Sequence, residues 1–268
     1  MRTALVTGPS SGIGRATAFG LARLGLHVVA AGRSPARTQP VVDQIKGEGG
    51  SAEYLHLDLA SLRSVREAAA TFLKSGLALD ILINNAGVGA GNGLTEDGFE
   101  VHWGVNHLGH FLLTDQLAPA LVERARVVSV SSDWHFRAGS LGLDRVRSRG
   151  WAPFGLGYYA RSKTANILFI RELAVRHPEW DCHAMHPGLA DTKLIPGVIR
   201  PLIRSSLLTP EAASDTVIWC ALSDEVAGQS GLYYARRQIH QASPLASDDT
   251  LAAELWERSV VWTEVASP

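Results

Sequence analysis

Apolar and polar positions follow two rhythms along the 268 residues. Short apolar, β-branched runs at Thr3–Val6, His27–Ala31, Ala52–Leu57, Asp80–Ile83, Arg126–Val130, Cys182–Met185 and Gly231–Tyr234 predict strands. Between them, Ile13–Leu24, Ser61–Ser75, Glu96–Leu121, Tyr159–His177 and Thr209–Leu222 carry apolar residues at helical spacing. Strands alternating with helices of this length predict βαβ units. The expected fold class is therefore α/β, a doubly wound parallel sheet with helices on both faces. No composition break divides the chain, so residues 1–268 are expected to form a single domain. Asp133–Gly157 and Leu189–Leu208 interrupt the alternation with Gly-, Pro- and Arg-rich text. Both follow strands at the carboxyl edge, where open α/β sheets bind ligands. They are candidate substrate loops (133–157 and 189–208) or surface decoration.

Composition narrows the function classes. Hydrophobic residues make up 46% and charged residues 19%, with a formal net charge of −1. That composition can bury a core, and it carries no basic excess for nucleic acid or an anionic membrane surface. The opening apolar run ends at Gly8, too short for a signal segment, and no stretch of 18 apolar residues follows. Cys182 and Cys220 form neither a disulfide framework nor a zinc pattern. The expectation is a cytoplasmic protein without a membrane span.

The chemistry begins at the first strand–helix junction, Thr7-Gly8-Pro9-Ser10-Ser11-Gly12-Ile13-Gly14. Glycines there permit a tight turn and close approach of a phosphate, which the following helix N-terminus attracts. Gly8, Ser10, Ser11, Gly12, Ile13 and Gly14 are the candidate phosphate cradle. The second strand ends in Arg33-Ser34, with Arg37 nearby. An NAD site places a carboxylate there to bind the ribose 2′-hydroxyl. A guanidinium instead suits a 2′-phosphate, so the expected cofactor is NADP(H), with Arg33 and Ser34 in the cofactor set. Arg33 as a plain solvated loop residue is the alternative. Further on, Tyr159 and Lys163 stand four apart on a predicted helix, on one face. A phenol titrates near pH 10, and a fixed positive charge beside it favours ionisation. Tyr159 is thus a candidate general acid–base. The pair alone would equally describe a solvated helix face.

The turn text TGPSSGIG, followed by Asn84-Asn85-Ala86-Gly87 after the fourth strand, resembles the classical short-chain dehydrogenase/reductase family. The text from Gly104 to Phe111 and the Leu255-Trp256-Glu257 ending resemble its retinol-dehydrogenase-like branch. The resemblance implies a Rossmann-like fold and hydride transfer between a nicotinamide and a carbonyl or alcohol. It implies that Asp58 and Leu59 meet the adenine, although Asp58 could equally cap the helix near Ser61. It places Asn85, Ala86 and Gly87 beside the cofactor. It implies that Asn106 distorts its helix and holds a water linked to Lys163. It implies that the second serine of Ser131-Ser132 orients the substrate oxygen, so the catalytic set is Asn106, Ser132, Tyr159 and Lys163. Tyr159 and Lys163 also join the cofactor set, as do Pro187, Gly188 and Thr192, which the resemblance puts at the nicotinamide carboxamide. Leu189-Ala190 departs from the family's usual Thr-Val.

The remaining features are weaker. His102, His107 and His110 lack a third-ligand pattern for a metal; packing and helix-surface roles are expected. Trp134, Trp151 and Phe154 either line an apolar pocket or anchor their loop. Trp256 and Trp262 either pack a C-terminal helix or bury an oligomer contact. The reading is a ketone or aldehyde reductase preferring NADP(H), acting on an apolar or ring-bearing small molecule. The rival is an NADP(H)-binding sensor or interaction protein without catalysis.

Overall fold

A computed structural model describes residues 1–149, 155–188 and 208–265. One eight-stranded sheet has the order β3-β2-β1-β4-β5-β6-β7-β8. Its strands are β1 Thr3–Thr7, β2 His27–Gly32, β3 Ser51–His56, β4 Leu79–Asn84, β5 Leu121–Val130, β6 Asp181–His186, β7 Leu232–Ala235 and β8 Gln238–Ile239. All neighbours run parallel except β7 and β8, which form an antiparallel hairpin. The helices are α1 Gly12–Arg23, α2 Pro35–Gly47, α3 Leu62–Lys74, α4 Gly109–Leu117, α5 Leu156–Arg176, α6 Pro210–Leu222 and α7 Asp249–Val265.

The doubly wound arrangement follows from β1. All five of its residues are buried, as expected for a strand covered on both faces. Successive side chains point to opposite faces. Ala4 and Val6 join a core with α1, α2 and α6, whereas Leu5 joins the core of α3, α4, α5 and α7. Chain order reverses between β1 and β4. At such a reversal the crossover connections part and a crevice opens at the carboxyl edge. The ends Thr7, Asn84, Val130 and His186 all meet that edge.

Two elements differ from expectation. The segment predicted as one helix over Glu96–Leu121 turns helical only at residue 101. Gly98 adopts φ +77 in a tight turn closed by its amide donating to Thr95 O at 3.0 Å. The Glu100 carboxylate then caps the helix, accepting from the amides of His102 and Trp103 at 3.0 and 3.2 Å. At the other end α4 gives way at Ala118-Pro119-Ala120, and β5 starts at Leu121, earlier than its apolar text suggests. Helix α2, absent from the sequence reading, contains Pro35 and Pro40. Pro35 sits in the first turn, where a proline is tolerated, and Val41, Val42 and Ile45 bury the helix against the sheet.

Candidate active site

The glycine turn is built around Thr7. Its hydroxyl accepts from the amides of Asn85 and Ala86 at 2.9 and 3.0 Å. The Asn85 side-chain amide donates back to Thr7 O at 2.8 Å. Gly8 and Gly12 adopt φ +69 and +56, and a Cβ on Gly14 would sit 2.3 Å from Gly8 O. Only glycine satisfies both demands. Helix α1 begins with Ser11 in extended backbone and no capping side-chain bond. Its first amides therefore point without a side-chain acceptor toward the crevice, a site suited to a pyrophosphate.

That crevice is a cleft of about 1180 Å³. Gly8, Ser10, Ser11, Gly12, Ile13 and Gly14 line one wall, with Arg33 and Ser34 beyond them. Asp58, Leu59, Asn85, Ala86 and Gly87 line the floor, and Ser132, Tyr159, Lys163, Pro187 and Gly188 line the far end. The structure thus brings these sequence-selected residues to one cavity. Thr192, Leu189 and Ala190, with most of the second loop, lie outside the described residues, as do Trp151 and Phe154. Arg37, Thr38, Asp133, Phe136, Arg137 and His186 also line the cleft, though none was in the sequence-selected set.

At the end of the cleft next to β2, the Arg33 side chain is 70% exposed and its Nη1 lies 3.9 Å from Asp58 Oδ2. A contact that long and exposed holds the guanidinium only weakly. Asp58 Oδ1 accepts from Ala60 N at 3.0 Å. The cap of α3 belongs to Ser61, whose hydroxyl accepts from Ser64 N, so capping does not occupy Asp58.

At the other end, Asn106 is buried within a π-helical segment, Trp103–Leu108, that leads into α4. Such single-turn widenings concentrate at functional sites. Its Oδ1 accepts from Val88 N at 2.8 Å, and its Nδ2 donates to Val88 O and Ser162 Oγ at 3.1 and 3.0 Å. Asn106 thereby binds the segment after the Asn-Asn-Ala-Gly turn to helix α5. His110 extends the linkage. Its Nδ1 donates to Asn106 O at 3.1 Å, leaving Nε2 to accept from the Thr7 hydroxyl at 2.9 Å. Burial first, and then Lys163, keep this ring neutral, with a pKa of about 4. His102, His107 and His110 are all buried, which corrects the helix-surface half of their expected role. No group of three metal-ligating side chains occurs among the described residues.

The two adjacent serines separate by geometry. Ser131 Oγ donates to Lys163 O at 2.7 Å, inside the fold. Ser132 lines the cleft together with Tyr159, and its Oγ accepts from Trp134 N at 3.3 Å. Tyr158 is buried in the core, whereas its neighbour Tyr159 lines the cleft. The Tyr159 ring stands between His102 and Trp134, each edge-on with centroids 6.2 Å away. The Lys163 ammonium is buried, donates to Val130 O at 2.8 Å, and lies 5.7 Å from the Tyr159 ring centre. Desolvation lowers its pKa to about 8.

In the protein alone, burial raises the Tyr159 pKa, and the Ser132 hydroxyl only partly opposes that. The ammonium is aimed at Val130 O rather than at the phenol. Tyr159 is therefore held protonated, the form that donates.

The aromatic questions also resolve. Trp134 lines the cleft. Trp256 packs on Phe111 and Phe169, and Trp262 packs on Trp103, so both fix the C-terminal helix to the body. Among the described residues, no helix is long and apolar enough to cross a membrane.

Comparison with known proteins agrees with this geometry. Residues 2–199 match the family model described as short chain dehydrogenase. Dehydrogenase/reductase SDR family member 13 of Bos taurus is 43% identical over 274 residues, covering 96% of this chain and 72% of the relative. Retinol dehydrogenase 14 of Homo sapiens is 39% identical, covering 97% of this chain and 85% of the relative. A short chain dehydrogenase from Burkholderia cenocepacia, solved in complex with NADP, superposes with a TM-score of 0.70 at 29% identity. That superposition covers 84% of this chain and 92% of the other. The chain belongs to the short-chain dehydrogenase/reductase family of oxidoreductases, in its retinol-dehydrogenase-like branch.

Proposed function

We propose that the protein is an NADP(H)-preferring reductase of apolar or ring-bearing ketones and aldehydes. The observation that carries this reading is one cleft with Arg33, Ser34 and Arg37 at one end and Ser132 and Tyr159 at the other. No carboxylate ends β2, and Ser34 spends no hydroxyl on capping α2. Two guanidiniums and a hydroxyl suit a 2′-phosphate, while the uncapped α1 amides suit the pyrophosphate. The residues present thus fit a phosphorylated nicotinamide dinucleotide, which when bound supplies the hydride. The NADP complex of the Burkholderia relative supports the same choice.

The protein's own contribution is orientation and one proton. The Ser132 hydroxyl and the Tyr159 phenol converge where a carbonyl oxygen would be held. Tyr159, protonated because it is buried, donates to that oxygen as negative charge develops on it. Lys163, fixed on Val130 O, places a positive charge at the same end, which favours the phenolate left after transfer. Val88, Val105, Trp134, Phe136 and Leu156 give the substrate end an apolar lining, matching a hydrophobic carbonyl compound.

The test is turnover by purified protein with a panel of hydrophobic ketones and aldehydes, with NADPH and NADH compared. Faster turnover with NADPH is expected. Tight NADPH binding without turnover of any carbonyl would favour the non-catalytic rival, and a preference for NADH would refute the assignment of Arg33.

A further inference from the structure

Asp133 and His186 meet on the wall of the cleft, Asp133 in the short 3-10 turn after β5 and His186 as the last residue of β6. Asp133 directly follows Ser132, and His186 directly precedes Pro187-Gly188. Asp133 Oδ2 lies 3.1 Å from His186 Nε2. Its other oxygen, Oδ1, accepts from the Tyr233 hydroxyl on β7 at 3.0 Å. The carboxylate therefore ties the turn after β5 to the end of β6 and to β7.

The sheet itself does not reach this far. Ser131 N donates to Met185 O at 2.7 Å. Beyond it, no backbone hydrogen bond among the described residues joins the segment after Ser132 to the Pro187-Gly188 turn. Side chains take over where the ladder stops. From below, His135 Nδ1 donates to Ser132 O at 2.8 Å, and its Nε2 accepts from Ser243 N at 3.0 Å. From the side, Asp133 reaches across to His186. The His186 contact, ahead of the Tyr233 hydroxyl, holds the Asp133 carboxyl below the usual carboxylate range. Burial, and then Asp133, push the Tyr233 phenol up, so it remains a donor.

We infer that the Asp133–His186 pair, braced by Tyr233, is a positioning tether. It sets the spacing between Ser132, which orients the substrate oxygen, and the Pro187-Gly188 turn, which holds the nicotinamide. This rests on the proposed function. Hydride transfer needs its atoms near contact, and a misplacement of about 1 Å costs on the order of a hundredfold in rate. A half-exposed polar contact of this kind adds little stability. Its value here lies in the two segments it joins.

The test is a double-mutant cycle read with two ligands. Wild type, Asp133→Ala, His186→Phe and the double variant are titrated with NADPH and with adenosine 2′,5′-bisphosphate, which lacks the nicotinamide. Each single variant is expected to weaken NADPH binding about three- to tenfold, with the double variant no weaker than either, as for residues acting through one contact. Affinity for the bisphosphate stays unchanged. His186→Gln, whose amide can donate to Asp133, regains most of the lost NADPH affinity. Additive losses, or equal losses for both ligands, would overturn the tether alone. Wild-type protein that binds neither ligand would overturn the proposed function and the tether with it.

Discussion

The Ser131 hydroxyl donates to the backbone carbonyl of Lys163 at 2.7 Å, joining the end of β5 to the middle of helix α5. This bond gives two neighbouring serines different duties. Ser131 holds the helix that carries Tyr159 and Lys163, and Ser132 is the one left for the proposed contact with the substrate oxygen. Ser132→Ala is expected to lower kcat at least about tenfold, since it removes a positioned hydrogen bond, and to cost no more than about 1 kcal/mol of stability through the lost cap on Trp134 N at 3.3 Å. Ser131→Ala is expected to cost about 1–2 kcal/mol of stability, because it strips a partner from a buried carbonyl. Kinetics and thermal denaturation of the two variants check the division. Equal kinetic losses from both would contradict it.

Arg33 is expected to act on the cofactor's phosphate rather than on the fold. Its only acid neighbour among the described residues, Asp58, is 3.9 Å away. Arg33→Ala should weaken NADPH binding about tenfold and leave NADH binding nearly unchanged, as loss of a charge-assisted phosphate contact requires. Isothermal titration with both dinucleotides reads the difference. Folding stability should hardly move.

Buried histidines set the acid limit of stability. Burial lowers the pKa of His107 to about 3, and of His110 and His183 to about 4, from an ordinary value of 6.5. The folded protein keeps these rings neutral while the unfolded chain protonates them. Their contribution is therefore fully present above about pH 6.5 and is lost as pH falls from there toward 4. Each ring adds up to about 1.4 kcal/mol per pH unit in that window. Urea midpoints should fall steeply between pH 7 and 5. His110→Gln should flatten the slope by about one proton. An unchanged slope would show that His110 is not buried neutral.

Much of this was legible in the sequence for physical reasons. Parallel strands covered on both faces read as apolar runs, so β1 and β2 declare themselves. The cofactor turn is visible because only glycine serves at Gly8 and Gly12. Helix α2 was not, because Pro35 and Pro40 argue against a helix that tertiary burial of Val41 and Ile45 nevertheless holds. The start of the helix before Asn106 was misplaced because its cap is a buried Glu100 side chain, not the usual Ser, Thr or Asn signal. At the site, spacing selected Tyr159 and Lys163, and the family resemblance selected Ser132. Pairings across the sheet, such as Thr7 with His110 or Asp133 with His186, join residues distant in the chain. No local pattern encodes them. The burial of Tyr159 and the direction in which Lys163 points were likewise invisible, since both depend on tertiary packing.

The central claim is that Tyr159 gives the proton during carbonyl reduction. It is tested most directly by measuring NADPH-dependent turnover of a hydrophobic ketone or aldehyde by Tyr159→Phe, alongside NADPH affinity of the same variant. Removing the hydroxyl keeps the ring between His102 and Trp134. The account predicts a loss of kcat of at least about a hundredfold, the scale of general acid catalysis, with NADPH affinity retained. Full turnover by Tyr159→Phe would contradict it.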